Sequence, residues 1–175
     1  MKLIKPHGGK LINREVTGPE RQRLIDASAE MPRLQLGARA ISDLEMIALG
    51  SYSPLEGFMN SCNYRSVLSR MRLVDGTAWS IPITLAATDE QVKRLREGHD
   101  VALYQEEHLL GVLHLIEKFT YDKNVEAQSV YRTTDEAHPA VRALYAQGDW
   151  LLAGNVSLIN RAVNEGFSGG EKKRN

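Results

Sequence analysis

"VALYQEEHLLGVLHLIEKF", residues 101–119, decides how this chain is read. Its two apolar runs, VALYQ and LLGVLHLIEKF, are rich in Val, Leu, Ile, Tyr and Phe, residues that suit a pleated, half-buried surface. Both read as β-strands, with Gly111 placed to bend the second. Upstream, AWSIPITLA alternates Trp79, Ile81, Ile83 and Leu85, while Pro82 argues for a sheet edge or a bulge. Downstream, WLLAG and VSLI read as a last pair of short strands. Near the N-terminus a Gly8-Gly9 turn leads into a further strand, KLIN.

Helices are expected between these runs. Leu24, Ile25 and Ala29 recur at helical spacing between Pro19 and Met31, and Pro32 ends that segment. Ser42 with Glu45 reads as a capping box that opens SDLEMIALG, and Gly50 is placed to close it. Asn63 can cap YRSVLSRMRL, after which Asp75-Gly76 makes a turn. Thr88 with Gln91 repeats the capping-box pattern before VKRLRE, closed by Gly98. VEAQSVY and AVRALYAQ are also helical in pattern. The fold class is therefore α+β: a small, strongly bent mixed sheet or barrel with flanking helices, in place of regular βαβ units.

At 175 residues, 42% hydrophobic, the chain falls in the range of one domain that buries roughly 70% of its unfolded surface. Lys plus Arg and Asp plus Glu number 22 each, so no global field gathers nucleic acid or an acidic membrane. A nucleic-acid partner is disfavoured on that ground. The single cysteine, Cys62, cannot form an internal disulfide and reads as an incidental thiol, and the expected location is cytoplasmic. Pro6, Gly8 and Gly9 interrupt the N-terminus before a signal-peptide core could form, and no run reaches the ~20 apolar residues of a membrane helix.

Individual residues invite chemistry and mostly decline it. Ser53, before Pro54 in SYSPLEGFM, reads as a turn residue, with Leu55, Phe58 and Met59 anchoring the loop; the same loop is the candidate interface to another domain. His7 beside Gly8-Gly9 could meet an anion, but the turn explains the glycines. Asp135, Glu136 and His138 have irregular spacing for a metal; Asp135 or Thr134 as a helix cap, with Pro139 in the first turn, is the simpler reading. Arg65, Arg70 and Arg72 on or near one helix read as a solvated face before an RNA surface. No catalytic, cofactor or metal residues are assigned.

The last residues, GFSGGEKKRN, resemble the signature segment of the ABC ATPase that serves iron-sulfur cluster assembly. Such an ATPase needs a G-x-x-x-x-G-K-[ST] phosphate loop. Here Gly9-Lys10 is followed by Leu11, and position 4, where the first glycine would stand, is isoleucine. Residues 162–175 are expected to be a disordered basic tail.

From the first residues to about Arg161 the chain resembles the N-terminal domain of ATP sulfurylase (sulfate adenylyltransferase). The resemblance rests on KPHGGKLINR, SDLEMIALGSYSPLEGFMN, NYRSVLSRMRLVDGTAWSIPITL, DKNVEAQSVYRTTDEAHPAVRAL and WLLAGNVSLI, in that order. It implies a PUA-like domain over residues 1–161 that supports a separate catalytic domain in sulfate activation, ATP plus sulfate giving adenylyl sulfate and pyrophosphate. In that family a Q-T-R-N-P segment and an H-x-x-H pair hold the substrates. This chain has no Gln-Thr-Arg run, His108 and His114 are six residues apart, and Ala140 replaces a usual glycine. The expectation is a chain inactive alone, joining a catalytic domain in trans; the alternative is a stand-alone PUA-like RNA-binding or protein-docking module. The sequence leaves the oligomeric state open.

Overall fold

A computed structural model describes residues 4–163; the tail resembling an ABC signature lies outside them from residue 164 on. After a 3-10 turn at His7–Gly9 the order is α1 (Gly18–Ser28), β1 (Arg33–Gln35), α2 (Ala38–Ala48), β2 (Gly57–Phe58), α3 (Ser61–Arg70) and β3 (Leu85–Ala87). There follow α4 (Asp89–Lys93), β4 (Asp100–Gln105), β5 (His108–Thr120), α5 (Lys123–Tyr131), α6 (Pro139–Tyr145) and β6 (Trp150–Leu158).

The stretch 101–119 forms the hairpin β4–β5 at the middle of one six-stranded sheet, ordered β1-β4-β5-β6-β2, with β3 also paired to β6. β1 runs parallel to β4 and every other pair is antiparallel, so the sheet is mixed and open. Register shifts between Leu103 and Tyr104 and between Leu115 and Glu117 bend it, as bulges do. Gly111 lies beside the first shift, and its backbone packs so closely on the Ser157 carbonyl that a side chain has no room.

Alternation along β5 sorts its side chains. Leu113 and Leu115 enter the main core with Leu44 and Ile47 of α2, while Val112 meets Leu24 of α1 and Ile159 on the opposite face. α5 and α6 close a small third cluster, Ala127, Val141 and Leu144, ringed by Tyr121, Tyr131 and Tyr145.

Local details depart from the sequence reading in instructive places. α2 starts at Ala38 after Gly37, leaving Ser42 exposed in mid-helix, because Ala38-Arg39-Ala40 are strong helix formers that extend the segment upstream. Asn60 caps α3 by accepting from the Asn63 amide, and Asn63 instead accepts from the Val74 amide at 2.9 Å. WLLAG and VSLI are one continuous strand, since Gly154 is needed where the His114 carbonyl approaches closely. The Pro82 segment forms a strand only at its end, Leu85–Ala87, with an isolated bridge from Ala78 to Arg72, and KLIN joins no strand. The Thr88–Gln91 capping box is formed in full.

Candidate functional site

The loop Ser51–Met59 is held from beneath. Ser53 is buried; its hydroxyl accepts from the Ile12 amide at 2.9 Å and donates to the Gly50 carbonyl at 2.6 Å. Both of its roles are structural, so it is no free nucleophile. Leu55, Phe58 and Met59 turn into the main core, and Gly57 lies against the Gly154 backbone of β6. Pro54 stays half-buried, with the 3-10 turn folded over it: Gly8 packs on the proline ring, and His7 reaches the Ala78 carbonyl at 2.8 Å.

Each side of this loop opens into a groove. One, of about 430 Å³, runs from Pro54 and Glu56 past Asn60 to Val74, Ile116 and Asn155. Val74 and Ile116 are 58% and 64% exposed there, large apolar side chains left facing water. Leu11 and Leu49, also exposed, flank the loop near Gly50. Side chains of the loop itself therefore fill the core, and its apolar neighbours carry the open surface.

The other groove, about 870 Å³, is lined by Arg39, Tyr52, Arg70, Arg72, Trp79 and Ile81 among others. Arg72 and Ala78 face each other across the Asp75–Gly76 turn, and Trp79 donates its amide to the Met71 carbonyl. That turn brings Arg72 beside Trp79. Tyr52 meets Trp79 edge-on at 6.1 Å between centroids. Buried Asp43 forms part of the wall; burial raises its carboxyl above the usual range, against the pull of Arg39 at 3.8 Å. Sequence reading missed this groove. Its legible signal was the spacing of Arg72 and Trp79 around a turn; Arg39 comes from a different helix.

Other candidates resolve locally. Arg65 binds back to Ser61, Arg70 to Ser66 and Arg72 to the Gly76 carbonyl; Arg70 and Arg72 share the groove and Arg65 lies outside it. Asp135 accepts from the Ala137 amide ahead of α6, whose N-cap residue is His138, with Pro139 in the first turn; His138 stacks on Tyr131 at 5.4 Å. Among the described residues no group of three or more His, Cys, Asp or Glu is arranged for a metal ion. Cys62 is exposed.

One arrangement was not anticipated. His114 Nδ1 lies 2.7 Å from Asp100 Oδ1 and its Nε2 lies 2.9 Å from Ser157 Oγ, the connectivity of an acyl-transfer triad. Ser157 is buried near the C-terminal end of β6, and the amide after it, on Leu158, is taken by the Arg14 carbonyl at 2.8 Å. The backbone N–H that follows the nucleophile in such triads is therefore already engaged here. The three residues are a clasp across β4, β5 and β6.

A family model described as PUA-like domain matches residues 4–161. Sulfate adenylyltransferase of Halothermothrix orenii is 49% identical over 168 residues, which are 95% of this chain and 44% of that protein. The Synechococcus sp. (strain JA-3-3Ab) sulfate adenylyltransferase is 53% identical over 159 residues, 90% of this chain and 40% of its own length. A solved structure described as a hexameric APS kinase from Thiobacillus denitrificans aligns with a TM-score of 0.72 at 30% identity, covering 95% of this chain and 29% of that one. The chain thus spans less than half the length of these curated relatives. No helix among the described residues is long and apolar enough to cross a membrane.

Proposed function

The chain belongs to the PUA-like domain family, and from that premise we propose that it is the non-catalytic N-terminal domain of a sulfate adenylyltransferase, supporting and orienting the catalytic domain. One observation carries this reading: 95% of the chain aligns to only 44% of a protein of that name, at 49% identity. The motifs through which the family holds ATP and sulfate are absent from the sequence. In-line attack of sulfate on the α-phosphate needs clustered cationic and hydrogen-bond donors around the transferring group, and such a cluster belongs to the catalytic domain.

We place the contact to that domain at the loop carrying Ser53, Pro54, Leu55, Phe58 and Met59. The buried anchors would hold the loop rigid, which lowers the entropy lost on docking. Val74, Ile116, Leu11 and Leu49 would supply the apolar contact. The partner is a catalytic domain of that enzyme.

Sulfate-dependent exchange of pyrophosphate into ATP tests the reading. The purified chain alone should give none, and adding it to a catalytic domain expressed without its own N-terminal domain should raise that domain's exchange rate. Exchange by the chain alone would overturn it.

A further inference from the structure

The groove between α2, α3 and the Arg72–Trp79 turn has a charge balance unlike the rest of the molecule. The whole chain is neutral, yet the groove gathers Arg39, Arg70 and Arg72 against Asp43 alone. Arg39 is engaged by Asp43 at 3.8 Å. Arg70 and Arg72 form no ion pair among the described residues; they bind only the Ser66 hydroxyl and the Gly76 carbonyl. Two exposed guanidinium groups without a carboxylate favour an anion, and their planar forks suit phosphate oxygens.

The lining beside them is aromatic. Trp79 lines the groove, with Tyr52 edge-on beside it and Ile81 exposed. An indole lining the same groove as two guanidinium groups matches a ligand that has a flat, apolar part joined to a phosphate. At about 870 Å³ the groove is the size of a small-molecule site. We propose that it binds a nucleoside phosphate, the phosphates on Arg70 and Arg72 and the base against Trp79. The site lies on the Tyr52 side of the loop proposed to meet the catalytic domain, across that loop from the groove of Val74 and Ile116.

The test is a titration of the full chain with ADP, followed on the Trp79 indole N–H resonance and assigned with Trp150→Phe. ADP is expected to shift that resonance saturably with a Kd below about 1 mM, with adenosine and pyrophosphate each at least ~10-fold weaker. Arg70→Gln/Arg72→Gln should weaken ADP by ~10-fold or more, while Arg70→Lys/Arg72→Lys weakens it less. If the glutamine pair does not fold, salt decides: affinity for the unaltered chain should fall as ionic strength rises. A missing or salt-insensitive ADP shift overturns the proposal, as does a folded glutamine pair that binds normally. Pyrophosphate binding as tightly as ADP would reduce the site to an anion site that reads no base. A decaglutamate peptide that shifts Trp79 where ADP does not would assign the groove to an acidic protein segment.

Discussion

The Tyr64 hydroxyl donates a 2.7 Å hydrogen bond to Oε2 of Glu126, joining α3 to α5 where Glu126 is only 5% exposed. Burial holds the Glu126 carboxyl above its ordinary range, opposed by the Tyr64 hydrogen bond and by the charge of Arg39. Burial likewise pushes Tyr64 far above the usual phenol range, with the Glu126 charge adding to it. Both groups favour their protonated forms in the folded chain.

That preference fixes a pH dependence. A carboxyl with a raised folded pKa contributes stability that is whole below its ordinary value of 4.5 and is lost as pH rises through the folded value. Glutamine at 126 keeps an acceptor for Tyr64 and cannot ionise. Urea unfolding of the unaltered chain and Glu126→Gln should therefore show the unaltered chain losing stability relative to the variant as pH rises above the ordinary carboxyl range. Parallel profiles would contradict this. Glu126→Ala, which strands the Tyr64 hydroxyl, should cost about 1–3 kcal/mol.

Ser53 provides a second test, because its hydroxyl is the acceptor for the buried Ile12 amide. Ser53→Ala should lower stability by about 1–3 kcal/mol in thermal or urea unfolding, the cost of an unsatisfied donor. A variant as stable as the parent would remove Ser53 from its structural role.

The clasp of Asp100, His114 and Ser157 has the connectivity of a hydrolase, but the Leu158 amide after its serine is engaged by the Arg14 carbonyl. His114→Ala is expected to cost about 1–3 kcal/mol, because the buried Ser157 hydroxyl loses its partner. Hydrolysis of p-nitrophenyl acetate should be the same for the chain and for Ser157→Ala. A Ser157-dependent rate would mean that the clasp does chemistry.

At Gly57 the backbone of β2 approaches that of β6 so closely that a Cβ would overlap the Gly154 carbonyl oxygen. Gly57→Ala should destabilise the domain by more than about 3 kcal/mol or prevent folding, as overpacking against backbone does at its upper range. Gly37→Ala, with nothing near the added methyl, should change stability by about 1 kcal/mol or less. Comparable losses at the two positions would show that the strand contact is not what Gly57 serves.

Local signals made much of the fold legible. Thr88 and Gln91 announce their capping box because both partners lie within one turn. The β-rich runs around Gly111 were visible for the same reason: alternation and residue type are local. Errors fell where tertiary contact overrides such signals. Gly154 looked like a break between strands, but it serves the approach of the His114 carbonyl, from a residue distant in sequence. Ser42 has the spacing of a cap, but the helix formers at 38–40 carry α2 past it to Gly37. Loop anchors Leu55, Phe58 and Met59 were readable from an apolar run. The groove was not, since Arg39, Arg70 and Trp79 meet only after three segments pack.

A domain exchange tests the central claim most directly. Residues 4–161 would replace the matching segment of the Halothermothrix orenii sulfate adenylyltransferase, and sulfate-dependent pyrophosphate–ATP exchange would be measured on the purified chimera. The account predicts a folded chimera that retains sulfate-dependent exchange, with loss of exchange when Pro54 and its apolar neighbours Val74 and Ile116 are made charged. A folded chimera with no exchange would contradict it.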